Sequence, residues 1–269
     1  SLARILAMAP ARYVGDLIFS FARYLGDLAL LAGETVRGIF HGQVRPQLVV
    51  QQIYEVGFRS QLVVLITGAF TGAVFATQTY FQFHRLQMDA AVGPVVSVSM
   101  FRELGPVLCG LMVAGRVGAA MSAELGTMKV TEQLDALRAL AVHPVDYLVV
   151  PRFLAMLVSM PLLVAECIGV GILAAYLLTT QVLGVSEVYY VQNMLFFTGG
   201  RDVAMGLIKG MVFGVVIVFV SCHQGLNARE GAVGVGRATT EAVVIGSLFI
   251  LVVNFFLTMT LNVFFPAGK

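Results

Sequence analysis

The stretch that decides the fold is Ala242–Phe265, which reads AVVIGSLFILVVNFFLTMTLNVFF and contains no charged residue. A transmembrane helix needs about 20 consecutive, predominantly apolar residues, so this stretch is long enough to cross a bilayer. A second uncharged stretch, Ser60–Phe83, satisfies the same condition. The two stretches predict the last and the first spans of a helical membrane protein.

Three more apolar stretches lie between them, each with one or two charges: Ala91–Gly115 with Arg102 and Glu103, Phe153–Gln181 with Glu166, and Val203–Cys222 with Lys209. The chain of 269 residues is 58% hydrophobic and 12% charged, whereas soluble proteins are about 45–50% apolar and about 25% charged. A soluble or disordered chain is therefore excluded, and an outer-membrane barrel would show short alternating segments. We predict an all-α polytopic membrane protein with five transmembrane helices.

Lysine and arginine are distributed unequally between the two sides that five spans define. Twelve lie in the N-terminal segment and in the second and fourth connections, whereas only Arg85, Arg201 and Lys269 lie on the other side. Cytoplasmic loops are enriched in these residues, so we predict a cytoplasmic N-terminus and a C-terminus outside. The formal net charge of +2 is too small to indicate a nucleic-acid partner.

The segment before the first span has the pattern of amphipathic helices. Apolar residues recur at steps of three and four over 13–37, Arg45-Pro46 then breaks the pattern, and Gln47–Arg59 forms a second short stretch. Such helices beside a membrane domain lie in the interface plane, and a soluble helical hairpin is the alternative. We therefore divide the chain into an interfacial segment, 1–59, and a five-span domain, 60–269.

The connection between the second and third spans has helical spacing over Ser122–Leu140, and His143-Pro144 ends it. Glu132 and Asp135 are one turn apart and would form a shared acidic patch. A helix of mixed charge that joins two spans suits docking to a soluble partner, and a helix that only packs on the ends of the bundle fits equally well. Its polar positions are Glu124, Lys129, Glu132, Gln133, Asp135 and Arg138.

An ordered series of motifs closely resembles the MlaE/YrbE permease family, above all its proteobacterial members. The resemblance covers residues from about 45 to 262, and so long a series in one order is specific. The motifs are Arg102–Val107 (RELGPV), Ala114–Gly118 (AGRVG), Ala123–Leu137 (AELGTMKVTEQLDAL), Tyr147–Arg152 (YLVVPR), Leu207–Gly210 (LIKG) and Gly236–Thr240 (GRATT).

The resemblance implies a homodimeric ABC-transporter permease of the bacterial inner membrane that moves phospholipid and maintains outer-membrane lipid asymmetry. It implies three partners: a cytoplasmic ABC ATPase, a periplasmic hexameric ring of MCE-domain protein, and a STAS-domain accessory subunit. Residues 122–140 would be the coupling helix against the ATPase. ATP and magnesium would belong to that ATPase, because this chain has no G-x-x-x-x-G-K-[ST] loop. We expect no catalytic residue, cofactor or metal in the chain itself.

Charges in the predicted spans are the first candidate functional residues, because charges at membrane depth are costly and mark a pathway or a buried pair. Arg102 and Glu103 are adjacent, so they project about 100° apart on a helix and cannot neutralise each other side by side. At least one of them should face another helix or a polar cavity. For Lys209 we favour a side chain that snorkels to the interface, with a lipid phosphate or Glu103 as the alternative partner.

Aromatic and amide side chains on the first and last spans are the second set of candidates. An apolar cleft with a few polar groups suits a two-tailed lipid with a charged head, and we predict such a cleft between two copies of the chain. A lipid-facing aromatic belt with ordinary packing is the alternative. The predicted lipid-binding residues are Phe75, Gln78, Phe81, Gln82, Leu251, Asn254, Phe255 and Met259.

Other classes of function fit the sequence less well. A stand-alone secondary transporter or channel usually contains internal repeats, and five spans cannot divide into equal halves. A membrane scaffold without transport does not explain Arg102 and Glu103. Cys109, Cys167 and Cys222 lie in or beside apolar stretches, where we expect buried free thiols.

Overall fold

The computed structural model describes residues 2–40 and 45–264, and within these ranges it contains helices and no β-strand. Phe265, the predicted end of the last span, and Lys269 lie outside the described residues. The α-helices are α1 (Leu2–Phe40), α2 (Pro46–Val56), α3 (Gln61–His84), α4 (Val92–Ser99), α5 (Gly105–Val113), α6 (Ala119–Val130), α7 (Gln133–Ala139), α8 (Val150–Leu177), α9 (Glu187–Phe197), α10 (Gly200–Leu226) and α11 (Gly231–Phe264).

Five helical stretches of the described chain are long and apolar enough to cross a membrane, and each contains one predicted span. The all-α polytopic fold is therefore confirmed. Because α7 connects spans 2 and 3 whereas α9 connects spans 3 and 4, these two helices lie at opposite ends of the bundle. We number the spans 1 (Pro46–His84), 2 (Asp89–Val130), 3 (Val145–Val182), 4 (Gly200–Leu226) and 5 (Gly231–Phe264).

Span 1 starts earlier than the sequence predicts. A 3-10 turn at Phe58–Ser60 joins α2 to α3, and α2 packs against α8 with Val56 buried. The predicted boundary after residue 59 therefore lies inside a continuous helical stretch, and the division into two domains stays a prediction. In α1, Leu31 and Thr35 are buried while Phe19 is exposed, as expected for a helix with one face on the bundle.

Span 2 continues beyond its predicted end at Gly115 and reaches Val130. The structure differs from the single helix that we predicted over Ser122–Leu140, because α6 and α7 are separate. Glu132, between them, has a φ of 60°, a left-handed conformation that does not continue a right-handed helix. The segment is therefore bent at Glu132, and only α7 projects as an independent helix.

Span 3 is the centre of the bundle, with span 1 on one side and span 4 on the other. Two series of glycines spaced four residues apart, Gly68-xxx-Gly72 in span 1 and Gly206-xxx-Gly210-xxx-Gly214 in span 4, lie at these contacts, where the missing side chains allow close approach. Gly72 faces the backbone of Gly171, and a Cβ atom at Gly210 would lie 2.9 Å from Val164 Cγ2. Span 5 packs on span 4 and α6, and α9 packs on α4.

Candidate functional site

A wide helical turn places two charges inside the bundle. Arg102 and Glu103 belong to the π-turn Met100–Leu104 in span 2, and such turns are frequent at functional sites. Pro106 has no amide hydrogen and cannot donate to the carbonyl of Arg102, four residues earlier. That carbonyl instead accepts a hydrogen bond from Lys209 Nζ, at 2.6 Å.

Glu103 is the centre of a polar cluster between spans 2, 4 and 5. Its Oε1 accepts from Lys209 Nζ at 2.8 Å and from Thr258 Oγ1 at 2.9 Å, and its Oε2 accepts from Asn254 Nδ2 at 3.0 Å. The Thr258 hydroxyl also accepts from Lys209, at 2.8 Å. Glu103 is therefore held by an ion pair with Lys209 and by hydrogen bonds from two uncharged donors.

Lys209 does not snorkel, and that interpretation is wrong. Its side chain is fully buried, with 0% of its surface exposed, and its ammonium group donates to Glu103, Thr258 and the Arg102 carbonyl. An ammonium has three hydrogens, and each has an acceptor here. The physical reason is that Glu103 and a free carbonyl lie within reach, so the charge is satisfied without extending to the interface.

Arg102 leaves the same π-turn toward different partners. Its Nε donates to Asp202 Oδ1 at 2.5 Å, and its Nη1 donates to Asn262 Oδ1 at 2.9 Å. Asp202 also accepts from the backbone N–H of Gly199 at 2.8 Å, which caps the start of α10. The adjacent charges Arg102 and Glu103 thus point to separate oppositely charged partners, as their angular separation requires.

Sequence reasoning missed Asp202 and Asn262. Asp202 directly precedes the predicted start of span 4 at Val203, so it lies just outside the predicted spans. Asn254, Thr258 and Asn262 recur every four residues, which places three polar groups on one face of α11. That spacing was the signal that could have identified Asn262.

The cluster contains two cations and two carboxylates, so its formal charges balance. An uncompensated charge at this depth would be expensive, whereas paired and hydrogen-bonded charges are tolerated. The pairs connect span 2 to spans 4 and 5 at two points, and they fix the relative rotation of the three helices. The side chain of Glu103 remains 39% exposed, so the cluster has an open side.

At the α7 end, a second set of polar residues connects α6 to span 3. Arg152 is buried, with a side-chain exposure of 3%, and its Nη2 lies 2.8 Å from Glu124 Oε2. Its Nη1 donates to the Leu148 carbonyl at 2.6 Å. Glu124, predicted as a coupling residue, is therefore tied to span 3 by an ion pair.

The other predicted coupling residues are distributed around the bend. Glu132 is the bend residue itself and Gln133 begins α7, whereas Lys129 is half-buried near the end of α6. Asp135 forms an exposed ion pair with Arg138 at 3.1 Å. The acidic patch expected from Glu132 and Asp135 is therefore partly neutralised by Arg138.

Comparison with known proteins decides the family. The family model described as Permease MlaE matches residues 49–260. This chain belongs to the MlaE permease family. It is 42% identical over 248 residues to a probable ABC transporter permease protein of Rickettsia felis, covering 92% of this chain and 96% of that protein.

Two further relatives are similar to this MlaE-family chain over most of their length. An intermembrane phospholipid transport system permease protein MlaE of Haemophilus influenzae is 34% identical over 262 residues, covering 95% of this chain and 97% of the relative. A probable ABC transporter permease protein of Synechocystis is 40% identical over 228 residues, covering 85% of this chain and 87% of the relative. This MlaE-family chain is an ABC-transporter permease subunit with several membrane spans.

A single chain of this MlaE-family permease does not gather the predicted lipid-binding residues at one place. Span 1 packs chiefly on span 3, whereas span 5 packs on span 4 and α6. Phe75 packs against the core, and Asn254 is engaged by Glu103. The remaining six lie on the exposed surface of the chain: Gln78, Phe81, Gln82, Leu251, Phe255 and Met259.

The described part of the chain offers no cluster of histidine, cysteine or carboxylate side chains that could hold a metal ion. Cys109, Cys167 and Cys222 are buried free thiols, as predicted.

Proposed function

We propose that this MlaE-family permease moves phospholipid between the inner membrane and a periplasmic MCE-protein system, and thereby maintains outer-membrane lipid asymmetry. The match of the family model to residues 49–260 carries the proposal. The relative named for intermembrane phospholipid transport supports the substrate class. The permease itself catalyses no reaction, and ATP with magnesium binds to its partner ATPase.

The proposed assembly is a homodimer with an ABC ATPase on one side and a hexameric MCE-domain ring on the other, with a STAS-domain subunit as accessory. The lysine and arginine distribution supports an orientation with the N-terminus and α7 in the cytoplasm and the C-terminus and α9 in the periplasm. Residues Glu124–Arg138 of α6 and α7 then face the ATPase. The Glu124–Arg152 pair gives the nucleotide-driven movement a rigid connection to span 3.

Two copies of the exposed faces of spans 1 and 5 form the proposed lipid cleft. Phe81 and Phe255 are each 56% exposed in the single chain, so they are available to acyl chains or to the second copy. Glu103 lies at the base of this cleft, where its open side keeps the carboxylate within reach of water or a head group. The amides Gln78 and Gln82 orient the head group.

The test uses the full transporter, purified with its partners and reconstituted in proteoliposomes. We expect ATPase and MCE protein to co-purify with the permease, and ATP to drive phospholipid transfer. A stand-alone secondary transporter or channel would instead move its substrate without the ATPase. Transfer that is independent of ATP hydrolysis contradicts the proposal.

The cleft is tested in the same assay by substitution. Phe81→Ser with Phe255→Ser should slow transfer more than Gln78→Ala with Gln82→Ala, because each buried CH₂ contributes about 0.8 kcal/mol and a neutral hydrogen bond only about 1 kcal/mol in total. Leu162→Ser, on the exposed face of span 3, is the control. An equal effect of Leu162→Ser, or sharp discrimination between head groups, would show that the cleft lies elsewhere.

A further inference from the structure

A large cavity lies at the α9 end of a single chain, and none of the residues predicted to line the cleft between spans 1 and 5 lines this cavity. Its volume is about 1340 Å³, above the range of about 300–1,000 Å³ that holds a drug-sized ligand. One wall is the outer part of span 2, the opposite wall is α9, and the floor is the start of α10. The cavity therefore has room for a molecule with long apolar chains.

The walls and the floor of this cavity differ in chemistry. Pro94, Val95 and Val98 line the side of α4, and Phe196 and Phe197 line the side of α9. Phe196 is 82% exposed and Phe197 is 59% exposed, so both rings are available for contact with an apolar ligand. Apolar walls of this kind receive acyl chains better than polar solutes.

The floor carries an excess of positive charge. Arg102, Arg201 and Asp202 line it, so two guanidinium groups stand against one carboxylate. Arg102 uses Nε and Nη1 for Asp202 and Asn262, and its Nη2 has no hydrogen-bond acceptor among the described residues. Arg201 is exposed and forms no ion pair with the described part of the chain. One anionic group would balance this charge.

We propose that this cavity is a second lipid site, in which one chain of the permease holds a glycerophospholipid before it reaches the cleft between two copies. The phosphate lies against Arg201 and the free edge of Arg102, and the acyl chains lie between α4 and α9. Guanidinium groups pair well with phosphate oxygens. This inference rests on the proposed function, because it names where the same substrate first binds.

The site is connected to the polar cluster through Arg102. The same side chain lines the cavity and directly precedes Glu103 in the π-turn, so a phosphate that binds its free edge draws the guanidinium group away from Asp202 and Asn262. Loss of the hydrogen bonds to these two residues loosens the attachment of span 2 to spans 4 and 5. Binding of lipid in the cavity therefore favours a movement of span 2 away from spans 4 and 5.

Photocrosslinking in cells that express the whole transporter tests the proposal. A photoreactive residue is placed at Phe197, and a matched control at Tyr189, which lies on the same helix and is 63% exposed but does not line the cavity. Phospholipids are labelled with radioactive phosphate. We expect several-fold more labelled lipid captured at Phe197 than at Tyr189.

Charge variants then identify the phosphate contact. Arg201→Gln should lower capture at Phe197 about tenfold, which corresponds to the loss of one charge-assisted hydrogen bond, and Arg201→Lys should retain most of it. Arg85→Gln, another exposed arginine at the same end, is the matched control and should leave capture unchanged. Co-purification of the ATPase confirms that each variant has folded.

Three outcomes overturn the inference: equal capture at Phe197 and Tyr189, no effect of Arg201→Gln, or capture of a protein at Phe197. The last outcome would identify the cavity as the binding site for a partner's transmembrane anchor. ATP-driven lipid transfer by the unmodified transporter is measured in parallel. If transfer persists while Phe197 captures no lipid, the cavity site is wrong and the proposed function stands.

Discussion

Lys209 Nζ and Glu103 Oε1 lie 2.8 Å apart, although the two residues are 106 positions apart in the chain and belong to different spans. The ammonium group is completely buried, whereas the carboxylate is partly open. The pair is therefore fixed on one side by packing and accessible on the other. It connects spans 2 and 4, and it also lies at the base of the proposed lipid cleft.

Removing one charged partner of this pair should lower the stability of the permease more than removing both. Lys209→Met leaves the Glu103 carboxylate uncompensated, and we expect a loss of about 3 kcal/mol in stability. Glu103→Gln combined with Lys209→Met should recover most of it, because neither charge remains. Thermal unfolding of the purified transporter measures the effect. Lys129→Met is the control. A loss of stability in the double variant equal to that of Lys209→Met alone would contradict the pairing.

The two roles of Asp202 can be separated by substitution. Asp202→Asn removes the charge that pairs with Arg102 but keeps an oxygen for the Gly199 amide, whereas Asp202→Ala removes both. A helix cap contributes about 1 kcal/mol, so Asp202→Ala should be less stable than Asp202→Asn by about this amount. Thermal unfolding of the two variants decides the point. Equal stability would show that the cap bond at Gly199 contributes nothing.

Close contact between spans 1 and 3 depends on Gly171. A Cβ atom there would lie 2.8 Å from the Gly68 carbonyl and would also meet the side chain of Met100. Gly171→Val should therefore destabilise the permease by about 1–3 kcal/mol through overpacking.

Gly169, two residues earlier on the same helix, provides the matched control because nothing lies within 4 Å of its Cβ position. Gly169→Val should leave the melting temperature close to that of the unmodified protein. If both substitutions lower it equally, the cause is a general effect of valine on this helix or on its membrane insertion, and the contact with span 1 is not responsible.

Reversing the charges on α7 should detach the ATPase. With Glu132→Lys and Asp135→Lys together, Arg138 loses its partner and this end of α7 becomes strongly positive. We expect ATPase co-purification and ATP-stimulated lipid transfer to fall at least about tenfold, while the dimer stays folded. Glu230→Lys, an exposed carboxylate in the connection between spans 4 and 5, is the control. Normal co-purification of the α7 variant would refute the docking role.

Cysteine labelling tests the orientation of the spans. The three native thiols are buried, so they should contribute little to the labelling measured for an introduced cysteine. A cysteine at Glu187 should be labelled from outside the cell, and one at Arg138 only after permeabilisation. Lys269 should behave like Glu187 according to the five-span prediction. Labelling of Arg138 in intact cells would invert the orientation.

The sequence by itself determined the number and the class of the spans. Membrane insertion depends on the summed hydrophobicity of about 20 neighbouring residues, which is a local property, and Ala242–Phe265 or Ser60–Phe83 displays it without any tertiary information. The motifs from Arg102 to Thr240 were equally sufficient for the family. The four-residue spacing of Gly68 and Gly72 is also visible without tertiary information, and such spacing favours close helix packing.

Only the tertiary structure decided which charges meet. The partner of Lys209 depends on the rotation of span 4 against span 2, and that rotation is set by contacts such as Gly206 with the carbonyl of Phe101, far apart in the chain. The π-turn at Met100–Leu104 and the left-handed conformation of Glu132 likewise depend on surrounding packing. Local hydrophobicity placed the charges at membrane depth, and long-range packing determined that Glu103 neutralises Lys209 and that Asp202 neutralises Arg102.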